Sequence, residues 1–166
     1  GNAFRFQDTF DNHHPLYAGD VGIGINPKLA QRVRDSDLIL AIGTRLGEMT
    51  TSGYTLLQAP KPTQKLVHIH SSAEELNRVY HADLAMMATM NAAARSLEVL
   101  DAPKDVPWQA WTAEANAEYV ANMQPQKLPG DIDMPAIVGV IGKLLPDDAV
   151  LTNGAGNFSG WLHRFH

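Results

Sequence analysis

The chain has 166 residues, 45% hydrophobic and 19% charged, with a formal net charge of -5 and no cysteine. This composition suits one ordinary folded domain with a real core and excludes a disordered chain, a disulfide framework and a thiolate metal site. No apolar run approaches the roughly 20 residues that cross a bilayer, and no basic stripe invites nucleic acid.

Residues 1–26 show little periodicity. They carry Phe4, Phe6, Phe10 and Tyr17, the pair His13-His14, and the run GDVGIG, and they read as an irregular segment packed on something else. Their order is not that of a secretory signal, and the lack of cysteine fits a cytoplasmic location. Asn26-Pro27 starts a helix, because Asn caps free amides and Pro is tolerated at the first helical position. In that helix Leu29, Ala30 and Val33 form the apolar stripe, while Arg32 and Arg34 read as a solvated face.

Leu38–Gly43 is short, continuously apolar and ends in glycine, as expected for a strand buried on both faces of a parallel sheet. Residues 44–64 form a long polar connection. Lys65–His70 reads as a second buried strand. Ser72 with Glu75 three residues later is a capping box, which predicts a helix running through Leu76, Val79 and Tyr80. Asp83–Thr89 reads as a short third strand, and Asn91–Leu100 as an amphipathic helix. Alternating helix and strand predict an α/β layered sheet.

Asp101–Pro107 and Gln124–Asp133 are proline-bearing linkers around a helix at Trp108–Met123. Asp133 caps a further helix through Leu145, followed by a strand-like stub, Ala149–Thr152, and a glycine-rich turn, Asn153–Asn157. This last pair lies beyond both linkers and is expected to belong to another domain.

Three stretches could meet a ligand. Gly19–Asn26 leads into a helix N-terminus, where glycines let backbone approach a phosphate. It lacks the G-x-G-x-x-G spacing, and a tight turn needing positive φ is the favoured alternative. Gly43-Thr44-Arg45 sits at a strand end, where ligands bind in open α/β sheets. Arg45 there is equally a phosphate ligand or a surface arginine. His68 and His70 alternate onto one face. Hydrogen-bonded histidines near a sheet end are a better reading than a metal pair, because no third ligand is evident. No nucleophile elbow, zinc-protease motif or Walker loop occurs. The residues alone therefore give an α/β domain with a nucleotide-binding option and no catalytic set.

The run His14-Pro-Leu-Tyr-Ala-Gly-Asp-Val-Gly, the strand end Gly43-Thr44-Arg45, and Lys65–His70 followed by Ala73-Glu74-Glu75-Leu76 occur in a telling order. Together they resemble the central domain of the acetolactate-synthase-like thiamine-diphosphate-dependent enzymes. Leu144–Asn153, Gly156 and Trp161 resemble the opening of that family's C-terminal, pyrophosphate-binding domain. The resemblance covers nearly the whole chain.

It implies a Rossmann-like parallel sheet flanked by helices, truncated. Residues 1–103 would be the central domain without its first strand and helix, 104–132 a linker with one helix, and 133–166 the start of the C-terminal domain. The chain would then be an interior piece. The pyrimidine-binding domain with its catalytic glutamate would precede it, and the metal-binding Gly-Asp-Gly motif would follow it. The parent would be a homo-oligomeric carboligase or decarboxylase of 2-oxo acids using thiamine diphosphate and magnesium, and the piece alone would be inactive.

By the same resemblance Gly22, Gly24, Asn26, Gly43, Thr44 and Arg45 lie where flavin-containing members hold FAD. Ala155, Gly156 and Asn157 lie where the family approaches the thiamine diphosphate phosphates. Two departures count against FAD: Gly24-Ile25-Asn26 replaces a His-Gly-Thr, and His70 and Ser72 replace acids that would bind ribose. The rival reading is a free-standing regulatory module binding FAD, NAD or ADP. A third reading is an interaction domain without ligand, suggested by the aromatic N-terminal segment.

Overall fold

The computed structural model describes residues 1–126 and 128–166. Position 127, within the second linker, lies outside the described residues. The chain forms two compact units, Gly1–Glu118 and Tyr119–His166.

The first unit opens with two short parallel strands, β1 (Asn2–Ala3) and β2 (Asp20–Val21), with a 3-10 segment at Phe4–Thr9 between them. Helix α1 (Pro27–Asp35) begins as expected. The Asn26 side chain accepts the Lys28 amide at 3.0 Å, and Pro27 takes the first helical position. Strands β3 (Leu38–Ile42), β4 (Lys65–His70) and β5 (Leu84–Met87) form a parallel sheet in the order β3-β4-β5. Leu38 pairs with Lys65 and Val67 with Leu84. Helix α2 (Met90–Glu98) is capped by Thr89, and α3 (Gln109–Asn122) follows the first linker. This is the parallel α/β arrangement that the sequence predicts.

The core joins α1, the sheet and the long connection. Ala30, Ala41, Leu66 and Tyr80 are buried together with Leu56 and Leu57. The connection 44–64 is therefore not merely polar, since it places two leucines and Thr51 inside. Burying the two leucines stabilises by about 1.5–3 kcal/mol each.

Four expectations change. Strand β3 is not buried on both faces. Ala41 faces the core, but Leu38, Leu40 and Ile42 remain 53%, 49% and 41% exposed. Alternate residues of a strand point to opposite faces, and only one face of β3 meets the core cluster. The helix expected from Ser72 is a single 3-10 turn, Ala73–Glu75, without a side-chain cap. Glu75 binds Arg78 at 3.1 Å instead of reaching back to Ser72. Asn77 adopts φ +59°, and its side chain accepts the Ala82 amide. A left-handed residue at that point stops helix propagation.

Arg32 is not a solvated charge. Its Nε donates to Glu118 at 2.7 Å, and its other nitrogens donate to Glu114 and to the Trp111 carbonyl. Its guanidinium also lies over the Trp111 ring, 5.2 Å from the centroid. The Glu118 hydrogen bond raises the Arg32 pKa, and the Arg32 bond holds the Glu118 carboxyl below the usual range.

In the second unit α4 (Met134–Leu144) is capped by Asp133, which accepts the Ala136 amide at 3.0 Å, and α5 (Ser159–Phe165) ends the chain. Ala149–Thr152 is not a strand. A strand needs a ladder partner, none lies beside it among the described residues, and Val150 is 86% exposed. Among the described residues no helix is long and apolar enough to cross a membrane.

Candidate functional site

The carboxyl ends of β3 and β4 open into a cavity of about 550 Å³ in the first unit. That volume falls in the range of small-molecule sites. The chain leaves β3 through Gly43, whose φ is +69° and whose amide donates to the Ile69 carbonyl at 2.8 Å. Only a residue without a Cβ takes this turn easily. A Cβ at Gly43 would also lie 2.5 Å from the Met90 sulfur. The turn aims Thr44 and Arg45 at the cavity, and all three residues line it.

Two β4 histidines form part of the wall. His68 is buried, and its Nε2 donates to the Thr44 carbonyl at 3.0 Å, tying the β3 turn to β4. His70 Nδ1 accepts the Ser72 amide at 3.0 Å. The same Nδ1 lies 3.3 Å from the Ser72 carbonyl, but a backbone amide can only donate, and this shorter contact puts the proton of a neutral His70 ring on Nε2. Glu75, Arg78 and Tyr80 complete this wall. One Glu75 oxygen holds two guanidiniums, Arg78 at 3.1 Å and Arg45 at 3.8 Å. The Tyr80 hydroxyl is buried without a hydrogen-bond partner among the described residues. From the other side Arg5 joins the lining.

Arg5, Arg45 and Arg78 face the carboxylates Glu48 and Glu75, so the lining is net cationic in a chain whose net charge is -5. Donors from Arg5, Arg45, Arg78, His68 and His70 outnumber the two carboxylates, and Phe4, Phe6, Leu46, Met49 and Val79 supply apolar wall. Among the described residues no group of three histidines and carboxylates could hold a metal ion.

The other sequence-predicted residues sit elsewhere. Gly22, Gly24 and Asn26 do not line the cavity. Gly22 has φ +128°, and a Cβ there would lie 2.8 Å from the Met49 carbonyl and 3.2 Å from the Phe4 ring. It lets the β2 turn pack close behind two cavity residues. Gly24 is open, and Asn26 is spent on its helix cap.

Ala155, Gly156 and Asn157 belong to the second unit. The Gly156 carbonyl accepts both the amide and the hydroxyl of Ser159, at 3.0 and 2.7 Å, and the Phe158 ring occupies the space a Gly156 Cβ would need. Among the described residues, the Ala155, Gly156 and Asn157 amides donate no backbone hydrogen bond. Free successive amides of this kind suit an anion.

Sequence reasoning missed Glu75, Arg78 and Tyr80 as site residues. The predicted helix spread them over a helical surface, whereas the irregular path after Glu75 turns all three to one wall. The available signal was Asn77, a residue that tolerates left-handed backbone.

Residues 2–97 match the family model of the thiamine pyrophosphate enzyme central domain. The chain is 24% identical to a 3D-(3,5/4)-trihydroxycyclohexane-1,2-dione hydrolase of Geobacillus thermodenitrificans, over 94% of this chain and 28% of that protein. It is 26% identical to the same-named hydrolase of Clostridium perfringens, over 95% and 28%. It is 24% identical to an acetolactate synthase of Mycobacterium avium, over 95% and 26%. The chain thus spans little more than a quarter of the length of these curated relatives. With more than half of its residues matched by the family model at the sheet and cavity just described, the chain belongs to the thiamine pyrophosphate enzyme central-domain family.

Proposed function

We propose that this chain is the central portion of a thiamine-diphosphate-dependent enzyme, a carboligase or decarboxylase of 2-oxo acids, and that its own part is to scaffold and to bind a nucleotide. The match of residues 2–97 to the central-domain model carries the reading. The relatives' names support it: some are acetolactate synthases, others act on a 1,2-dione. A 2-oxo acid and a 1,2-dione share two adjacent carbonyl carbons. When bound, thiamine diphosphate supplies an electron sink for making or breaking a carbon–carbon bond beside such a carbonyl.

In this reading residues 1–103 are the central domain, 104–132 the linker and 133–166 the opening of the pyrophosphate-binding domain. The free amides of Ala155, Gly156 and Asn157 would approach the diphosphate, with magnesium held by residues outside this chain. Gly43, Thr44 and Arg45 would hold the nucleotide, with Gly22, Gly24 and Asn26 shaping the turn behind them. FAD is one candidate, disfavoured by the donor character of His70. The enzyme would be a cytoplasmic homo-oligomer, and the 166 residues alone would not turn over.

The test is to express the longest polypeptide the gene encodes and to follow pyruvate consumption with and without thiamine diphosphate and magnesium. Cofactor-dependent turnover by that polypeptide, and none by the 166-residue chain, is the expected result. A full polypeptide that does not bind thiamine diphosphate would overturn the proposal.

A further inference from the structure

The geometry points to a phosphomonoester subsite at the β4 end of the cavity, made by Arg45, His70, Arg78 and Tyr80. The inference rests on the nucleotide reading and adds which part of the ligand this wall takes.

At the end of a sheet strand, a dinucleotide site that grips an unmodified ribose offers a carboxylate to its hydroxyl, whereas an arginine suits a phosphate on that hydroxyl. Here the β4 end carries donors. His70 spends Nδ1 on the Ser72 amide and keeps an Nε2 proton to give. Arg78 and Arg45 meet at a single oxygen of Glu75, which brings two cations together while using a small part of their donor capacity. Each guanidinium carries five N–H groups, and phosphate takes them in pairs. The Glu75 carboxylate is already engaged by both arginines, and among the described residues it is the only acidic side chain on this wall. Glu48, the other carboxylate of the lining, sits on the connection after β3.

Tyr80 gives an independent observation. It lines the cavity, and its hydroxyl is buried with no partner among the described residues. An unmade buried hydrogen bond is costly, and a bound anion would satisfy this hydroxyl. A dianion is thus matched by two cations, an imidazole N–H and a waiting hydroxyl. A ribose diol would meet a carboxylate already engaged by two arginines.

The phosphate could be free or carried on a ribose hydroxyl, and the experiment separates the two. The longest encoded polypeptide is saturated with thiamine diphosphate and magnesium, so that its catalytic site does not compete. Adenosine 5′-monophosphate, adenosine 2′,5′-bisphosphate and inorganic phosphate are titrated by calorimetry. The bisphosphate is expected to bind at least about tenfold tighter than the monophosphate. Arg78→Gln should erase that preference. Tyr80→Phe should weaken bisphosphate binding without lowering the melting temperature, which a merely structural hydroxyl would not do.

Equal affinity for the two nucleotides, or a preference for the monophosphate, overturns the inference and leaves the nucleotide reading standing. Binding of inorganic phosphate without either nucleotide supports the subsite with free phosphate as its ligand and overturns the nucleotide reading. No binding of any of the three overturns both.

Discussion

Replacing Arg32 by alanine removes its hydrogen bonds from α1 to α3 and leaves Glu118 with Lys28 at 3.8 Å. The Arg32 side chain is 13% exposed and Glu118 25%, so their 2.7 Å bond is shielded but not sealed from water. A hydrogen bond to a charged group contributes about 1.5–3 kcal/mol, and this exposure argues for the lower half of that range. The Glu114 pair, with Glu114 at 70% exposure, adds little. The stem and guanidinium over Trp111 add about 0.5 kcal/mol. Arg32→Ala should therefore cost about 2 kcal/mol, and Glu118→Gln, which keeps an oxygen acceptor, about 1 kcal/mol.

The acid limb gives a second readout. Arg32 holds the folded Glu118 carboxyl below its unfolded value, so the unfolded state takes up the proton first. Stability from this pair is complete above the unfolded pKa, about 4.3 for glutamate, and is lost as pH falls through the folded value. Urea denaturation followed by circular dichroism between pH 3 and 7 measures both effects. The variants should lose stability at neutral pH and show a shallower acid slope. An Arg32→Ala chain within about 0.3 kcal/mol of the parent, with the same acid slope, would refute the assignment.

Two further substitutions test the scaffold. Leu66 is fully buried at the centre of the core, and Leu66→Ala should cost about 2–5 kcal/mol in the same urea assay. Gly22→Ala should cost about 2 kcal/mol or more, because the backbone is left-handed and the new methyl meets the Met49 carbonyl. Gly24→Ala, at φ +76° in open space, should cost about 1 kcal/mol, and the difference between the two isolates the close approach.

Features decided within a few residues were legible in the sequence. β3 is an unbroken apolar run and β4 carries apolar Leu66, Val67 and Ile69, α1 has its own cap and proline, and α4 its aspartate. The Arg32 pair is not legible there, because its partner Glu118 is 86 positions away and no periodicity within one helix reports such a pair. The capping box at Ser72 misleads for a related reason. Its glutamate had a better partner in Arg78, and Asn77 left the helical region. The stub at Ala149 has strand composition, yet composition does not supply a neighbour to pair with. Of the cavity, Gly43, Thr44 and Arg45 were visible because strand ends in α/β sheets face ligands. Arg78 and Tyr80 became neighbours of that turn only through an irregular path that a helical reading straightens out.

Protein engineers choose long connections between strands when they graft an epitope or a fluorescent reporter. In this chain residues 44–64 are the wrong place. They form one side of the cavity and deliver Thr51, Leu56 and Leu57 to the interior, so cargo inserted there would pry the sheet open and distort the cavity wall together. The exposed stretch Asp101–Asp105 carries no core side chain and is the position at which such cargo would ride without disturbing the fold.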